Sequence, residues 1–258
     1  MADAWNPSQY ERFRDQRAQP FFDLLGLVRP RPNLHAVDLG CGTGELTRQL
    51  HERLHCRATL GVDSSQAMLA KAATFSSPGL SFEAGDLATF AAGEPLDLVF
   101  SNAAVQWLDD HRSLFARLAG LLAPAGQLAV QMPANHHHAS HVVAKEVAQR
   151  EPFASALAGY TRQSPVLAPE RYAELLHELG FSEQSVRLQV YGHVLGARTE
   201  VVEWVKGTLL TDYERRLSPE LFQDFLREYR AALLPQLSAS EPYFYPFARL
   251  LIWAVRPE

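Results

Sequence analysis

Along the first half of the chain, short apolar runs alternate with stretches whose apolar residues recur three and four apart. Leu34 to Leu39 (LHAVDL) reads as a buried strand closed by glycines, and Glu45 to Leu54 as a helix with Leu46, Leu50 and Leu54 on one face. Arg57 to Val62 predicts a second strand ending at Asp63, and Ser65 opens a helix through Met68, Leu69 and Ala72. Leu80 to Glu83, Leu96 to Phe100 and Gln127 to Met132 predict three more strands. Between the last two, a helix over His111 to Leu122 is expected to stop at the Pro124 and Gly126 turn. Strands alternating with helices of this length mean βαβ units and a mostly parallel sheet.

After Pro133 the pattern changes. Ala134 to Pro169 is rich in His, Ala, Ser and Pro, with one helix expected over Ser140 to Arg150. Glu170 to Leu179 is a helix ending at Gly180, and Ser185 to Tyr191 alternates as a strand does. Two amphipathic helices, Glu200 to Leu210 and Pro219 to Leu234, precede a closing strand over Phe244 to Val255. The helices between these last two strands read as an inserted cap.

The bulk numbers narrow the class. The 258 residues are 47% apolar, enough for one large α/β domain with an elaboration. A net charge of −5 and a pI near 6.1 offer no basic field, so neither nucleic acid nor membrane is expected as a partner. Two cysteines, Cys41 and Cys56, make no disulfide framework. The polar N-terminus lacks the apolar core of a signal peptide. A cytoplasmic monomer or weak homodimer is the expectation.

The candidate chemistry centres on VDLGCGTGEL, Val37 to Leu46. In an open parallel sheet, ligands bind beyond the carboxyl ends of the strands, where glycines let the backbone approach them. The spacing Gly40-x-Gly42-x-Gly44 departs from the dinucleotide pattern, and Asp38 and Glu45 flank it. Asp63 ends the second strand, where a carboxylate accepts bonds from ribose hydroxyls, and Asp86 follows the third. Three acids without a phosphate-binding lysine favour a nucleoside that carries positive charge, such as S-adenosylmethionine.

These ordered signals, VDLGCGTGEL, GVD, AGD and LDLVFSNAAVQW, resemble the class I S-adenosylmethionine-dependent methyltransferases. The resemblance implies a Rossmann-like α/β fold: a seven-stranded, mostly parallel sheet flanked by helices, with a helical cap inserted late. It implies a helical segment over 1–30 that covers the site, and a catalytic domain over 31–258 with cap elements at about 134–170 and 198–240. It places Asp38, Gly40, Gly42 and Gly44 near the methionine portion of the cofactor, Asp63 and Ser64 on the ribose, and Met68 nearby. Asp86 and Leu87 would contact the adenine, and Asn102 would lie near the transferred methyl. WNPSQYERFRDQRAQP, SNAAVQWLDDH, MPAN, VVEWVKGTLL and YPFARLLIWAVR are similar to those members that form the monomethyl ester of a small polycarboxylic acid, trans-aconitate foremost.

A carboxylate acceptor is already ionised at neutral pH, so its methylation needs cationic and orienting groups more than acid–base machinery. Tyr10, Phe13 and Arg17 share one helical face and are candidates to bind the substrate, with Arg249 in the last strand. Gln106 and Trp107 follow the fourth strand and, with Asn102, are expected to orient the acceptor. His136, His137, His138 and His141 form a run in which His137 and His141 would share a helix face, yet no acid stands at a matching spacing. A solvated loop without metal is the expectation there, with carboxylate binding as an alternative. Cys41 reads as a small residue in a tight turn, since no activating histidine is evident. Competing readings are a methyltransferase for another small acid, a carrier-bound acyl group or a phenol, and a non-catalytic S-adenosylmethionine-binding protein.

Overall fold

The structure, a computed structural model, describes residues 14–258, with side chains from residue 18 onward. Two compact units are present. The first comprises Asp15–Pro133, Pro165–Gln189 and Arg249–Glu258; the second includes Ala134–Ser164 and Val190–Ala248.

The strands are β1 (His35–Leu39), β2 (Ala58–Asp63), β3 (Leu80–Ala84), β4 (Leu96–Asn102), β5 (Leu122–Pro133), β6 (Glu183–Leu195) and β7 (Tyr243–Val255). They form one seven-stranded sheet in the order β3-β2-β1-β4-β5-β7-β6. The pairs β1–β2, β1–β4, β2–β3 and β4–β5 are parallel, and β7 runs antiparallel to β5 from Val255 opposite Gln127 to Arg249 opposite Pro133. The chain order reverses between β1 and β4, the switch point beside which open α/β sheets bind ligands. Ala36, Val37, Leu39, Leu98, Val99 and Phe100 are fully buried, as strands covered on both faces require.

Local chemistry fixes the helices around this sheet. Ser65 caps helix Gln66–Ala72 by accepting from Met68 N, and Asp110 caps helix His111–Gly120 by accepting from Ser113 N. Helix Arg14–Leu25 contributes Phe21 and Leu24 to a core with Leu34, Leu50, Phe100 and Trp253. The second unit has its own aromatic core. Helix Pro219–Leu233 buries Phe222, Phe225, Tyr229 and Leu233 at helical spacing, and Phe225 stacks on Tyr213 at 5.0 Å.

Several boundaries differ from the sequence expectation. The helix expected to reach Leu122 ends at Gly120, and β5 begins at Leu122 rather than at Gln127. Pro124–Ala125–Gly126 is an irregularity inside the strand, not its limit: Leu96 faces Leu122 while Leu98 faces Gln127. Ala125 takes φ 54° there, and its N–H is satisfied by Pro257 O at 2.8 Å. The helix expected over Glu200 to Leu210 ends at Lys206, and a separate turn of helix, Thr211–Glu214, follows. No helix among the described residues is long and apolar enough to cross a membrane.

Candidate active site

The three glycines after β1 do three different things. An added Cβ on Gly40 (φ 81°) would lie 2.2 Å from Ala104 Cβ, so Gly40 lets the first turn meet the end of β4. On Gly44 (φ 76°) it would strike Ala72 and Phe82 at 2.7 and 2.8 Å, so Gly44 serves the packing of helix Glu45–Arg53. On Gly42 (φ 57°) it would meet nothing within 4 Å. Gly42 alone presents its backbone to open space.

Two carboxylates stand against this turn. Asp63 Oδ2 accepts from Gly42 N at 2.8 Å and Oδ1 from Ser65 N at 2.9 Å, which locks the end of β2 to the glycine turn. Asp38 is buried and accepts from Thr47 Oγ1 at 2.6 Å. Burial pushes its pKa up to about 7, the Thr47 bond opposes the rise, and the Asp63 charge adds to it. A nearby positive charge would reverse that rise, so the pair suits a cationic ligand. Cys41 lies between them, and burial followed by both carboxylates pushes its thiol pKa up, the opposite of an activated nucleophile.

The remaining residues expected at the site occupy the same ends of the sheet. Met68 is buried in helix Gln66–Ala72, and Ser64 is exposed just before it. Asp86 is exposed and accepts from Ala88 N at 2.8 Å, which turns the chain after β3. Arg117 supports that turn by donating to Leu87 O at 2.5 Å and Phe90 O at 3.0 Å. Leu87 Cδ1 lies 4.0 Å from the point where a Gly40 Cβ would stand.

Asn102 closes β4 and is tied to Arg249 through Gln131. With the Gln131 amide oriented by its neighbours, its nitrogen donates to Asn102 Oδ1 at 2.7 Å and its oxygen accepts from an Arg249 guanidinium nitrogen at 3.1 Å. Arg249 is only 5% exposed, and this contact is one way its buried charge is met. Gln106 Nε2 donates to Ala103 O at 2.7 Å, while its Oε1 is buried without a hydrogen-bond partner. Trp107 is 39% exposed at the end of the short turn Val105–Trp107. Tyr10, Phe13 and the side chain of Arg17 lie outside the described residues.

Three contributors were not singled out from sequence. Gln131, a polar residue in an otherwise apolar strand, was visible as an anomaly. Thr47, nine residues after Asp38, was not. His111 is buried: its Nε2 lies 3.2 Å from Val105 O and its Nδ1 bonds Tyr172 Oη. Together these hold the turn that carries Gln106 and Trp107. Burial depresses the His111 pKa, which suits a neutral imidazole that donates at one nitrogen and accepts at the other.

In the second unit the histidine run is not the solvated loop expected. Helix Ala139–Ala148 starts after it, so His137 lies outside the helix and does not share a face with His141. His138 is the cap residue, its Nδ1 accepting from Ser140 N at 3.1 Å. His137 is exposed, whereas His136, His138 and His141 are half-buried. Among the described residues no group of three or more His, Cys, Asp or Glu could hold a metal ion.

Residues 36–126 match the family described as "Methyltransferase domain". The chain is 46% identical to a trans-aconitate 2-methyltransferase of Deinococcus radiodurans over 98% of its length and 99% of the relative's. It is 41% identical to one of Methylobacterium nodulans, covering 99% of each chain. Among solved structures, the YcgJ protein of Bacillus superposes with a TM-score of 0.62 at 12% identity over 93% of this chain and 99% of that one, a likeness of fold alone. A charged glycine turn at the switch point of a seven-stranded sheet accompanies these full-length identities, and the chain belongs to the trans-aconitate 2-methyltransferase family, enzymes that use S-adenosylmethionine.

Proposed function

We propose that the chain transfers the methyl group of S-adenosylmethionine to a carboxylate oxygen of trans-aconitate, giving the monomethyl ester and S-adenosylhomocysteine. The full-length similarity to relatives of that name carries the choice of substrate. When bound, S-adenosylmethionine supplies an electrophilic methyl group on a cationic sulfur.

In this reading the chain's own groups bind and orient. Asp63 and Ser64 take the ribose hydroxyls, since Asp63 keeps acceptor capacity beyond its two backbone bonds. Gly42 lets the ligand approach the backbone, with Gly40 and Gly44 shaping the turn and Asp38 facing the positive charge. Asp86 and Leu87 meet the adenine, and Met68 lines its pocket. Asn102, held through Gln131 by Arg249, lies beside the reacting methyl, while Gln106 and Trp107 orient the acceptor. Arg249, a candidate for substrate contact, also positions Asn102 through Gln131. Arg17, Tyr10 and Phe13 complete the substrate contacts.

The acceptor oxygen forms a bond to the methyl carbon as the carbon–sulfur bond breaks and its electron pair stays on sulfur. No proton moves. Single-turnover rates at saturating acceptor test this, because they exclude product release. A carboxylate, ionised above about pH 6, gives a rate nearly flat between about pH 6.5 and 8.5. A phenol, with a pKa near 10, needs a base, and its rate climbs about tenfold per pH unit below that base's pKa. A unit-slope rise with trans-aconitate would overturn the carboxylate reading.

A further inference from the structure

The histidines of the second unit are not spare surface residues. Ser140 joins two of them, its Oγ lying 2.9 Å from His138 Nδ1 and 3.2 Å from His141 Nδ1. His138 Nδ1 already accepts from Ser140 N, so it carries no proton. One proton arrangement makes all three contacts attractive: Ser140 Oγ donates to His138 and accepts from His141 Nδ1–H. His141 Nε2 is then left as a free basic nitrogen. His136 adds a second, its Nδ1 buried without a hydrogen-bond partner.

The charges around this cluster have one sign. His141 feels His138, Arg162, His136 and Lys145, all of which oppose its protonation; among the described residues no acid acts on it in the other direction. Burial and these neighbours depress its pKa to about 3. His136 and His138 are depressed as well, first by burial. Asp212, in the same unit, is bound to Arg162 at 2.9 Å. The tyrosines that pack here are neutral: Tyr245 meets the His138 ring at 5.0 Å, and Tyr229 Oη donates to Ser140 O at 2.9 Å. Among the described residues the groups therefore form a half-buried cluster with several potential donors and no anion of its own. Its nitrogens are not gathered as a metal would need, and the spread suits a planar carboxylate with two acceptor oxygens.

We propose that His136, His138 and His141, backed by Lys145 and Arg162, form a carboxylate-binding site in the second unit that takes up a proton together with its ligand. A bound anion supplies the counter-charge the cluster lacks, so His141 Nε2 protonates and donates to it while Nδ1–H stays on Ser140. The preference for polycarboxylates rests on the proposed function; the existence of the site does not. The carboxylate is that of a polycarboxylate molecule bound within this unit.

Titration calorimetry of the full chain with trans-aconitate, in the presence of S-adenosylhomocysteine so that nothing turns over, tests the site. Repeating it in two buffers of different ionisation enthalpy counts the protons. The expected result is net proton uptake at pH 7, with affinity rising about tenfold per pH unit toward acid for each proton taken up. In His141→Gln both the uptake and at least about tenfold of affinity go, while S-adenosylhomocysteine binds as in wild type. His136→Gln shows the same loss to a lesser degree. If one molecule binds per chain, KM rises in His141→Gln with kcat held. If two bind, the variant removes one. Wild-type binding without proton uptake, or His141→Gln with unchanged affinity and pH dependence, overturns the proposal. Failure of the proposed function reads differently: proton-linked binding then persists with trans-aconitate not methylated.

Discussion

The end of the sheet and the histidine cluster handle buried charge in opposite ways. Asp63 is met by two backbone N–H groups and Asp38 by one hydroxyl, so the sheet unit concentrates negative charge on rigid backbone. In the second unit the titrating groups are imidazoles kept neutral by burial and by cationic neighbours. Fixed carboxylates suit a ligand that is always cationic. Imidazoles held below their ordinary pKa suit a ligand whose arrival changes their protonation.

The largest expected effect breaks the first region. Gly40→Val forces a branched side chain into a left-handed backbone and against Ala104 Cβ, a combination of strain and overpacking that sums to several kcal/mol. Thermal unfolding should report loss of the cooperative fold. Gly42→Ala sharpens the contrast: the methyl group meets no protein atom, so it costs only about 1–2 kcal/mol of backbone strain. In the proposed site the same methyl occupies the ligand's approach, so calorimetry should show S-adenosylhomocysteine affinity falling far more than stability. Equal losses in both quantities would return Gly42 to a purely structural role.

Asp63→Ala comes next. It removes acceptors from Gly42 N and Ser65 N and, in the proposed site, from the ribose; hydrogen bonds to a charged group are worth about 1.5–3 kcal/mol each. S-adenosylhomocysteine should bind at least about tenfold more weakly. Wild-type affinity in this variant would remove Asp63 from the ligand. Gln131→Leu is smaller: it takes one acceptor from the buried Arg249 guanidinium and should cost about 1–3 kcal/mol of stability, read from denaturant midpoints.

Much of the sheet was legible from apolar runs closed by glycine or acid, because a buried parallel strand has few other ways to be written. β5 was misjudged at its start because Pro124 and Gly126 carry local turn chemistry, while pairing with β4, a non-local contact, holds them in the strand. The acids and glycines of the first turn were legible for a related reason: each ends a strand, and strand ends in such a sheet meet. The histidine run was not. Its spacing suggests a shared helix face, but the helix starts only at Ala139, and what makes His141 unusual is burial beside residues distant in sequence, Arg162 among them. Gln131 was written plainly as a polar residue in an apolar strand, yet its role appears only once Asn102 and Arg249 flank it.

The smallest effect belongs to the second region and its pH dependence. His141, with a pKa of about 3, is neutral in the fold but regains a pKa near 6.5 on unfolding. Between those values the unfolded chain binds more protons, so this stabilising contribution is complete above about pH 6.5 and is lost as pH falls toward 3. His111, His136 and His138, also depressed, act in the same direction. Asp38, raised to about 7 by burial, acts in the opposite direction as pH falls, so the test is a difference: between pH 7 and pH 5 His141→Gln should lose less stability than the wild type, read from denaturant midpoints. An unchanged slope in that variant would mean that His141 is not held neutral.

The central claim is carboxyl methylation by this chain, and the most direct measurement is to identify the product. Purified protein is incubated with methyl-labelled S-adenosylmethionine and trans-aconitate, and the acid is recovered for mass spectrometry and base hydrolysis. One labelled methyl per acid is expected, released by mild base as an ester must be and formed in step with S-adenosylhomocysteine. Cofactor bound by the protein while trans-aconitate is recovered unlabelled, or label that resists base, would contradict it.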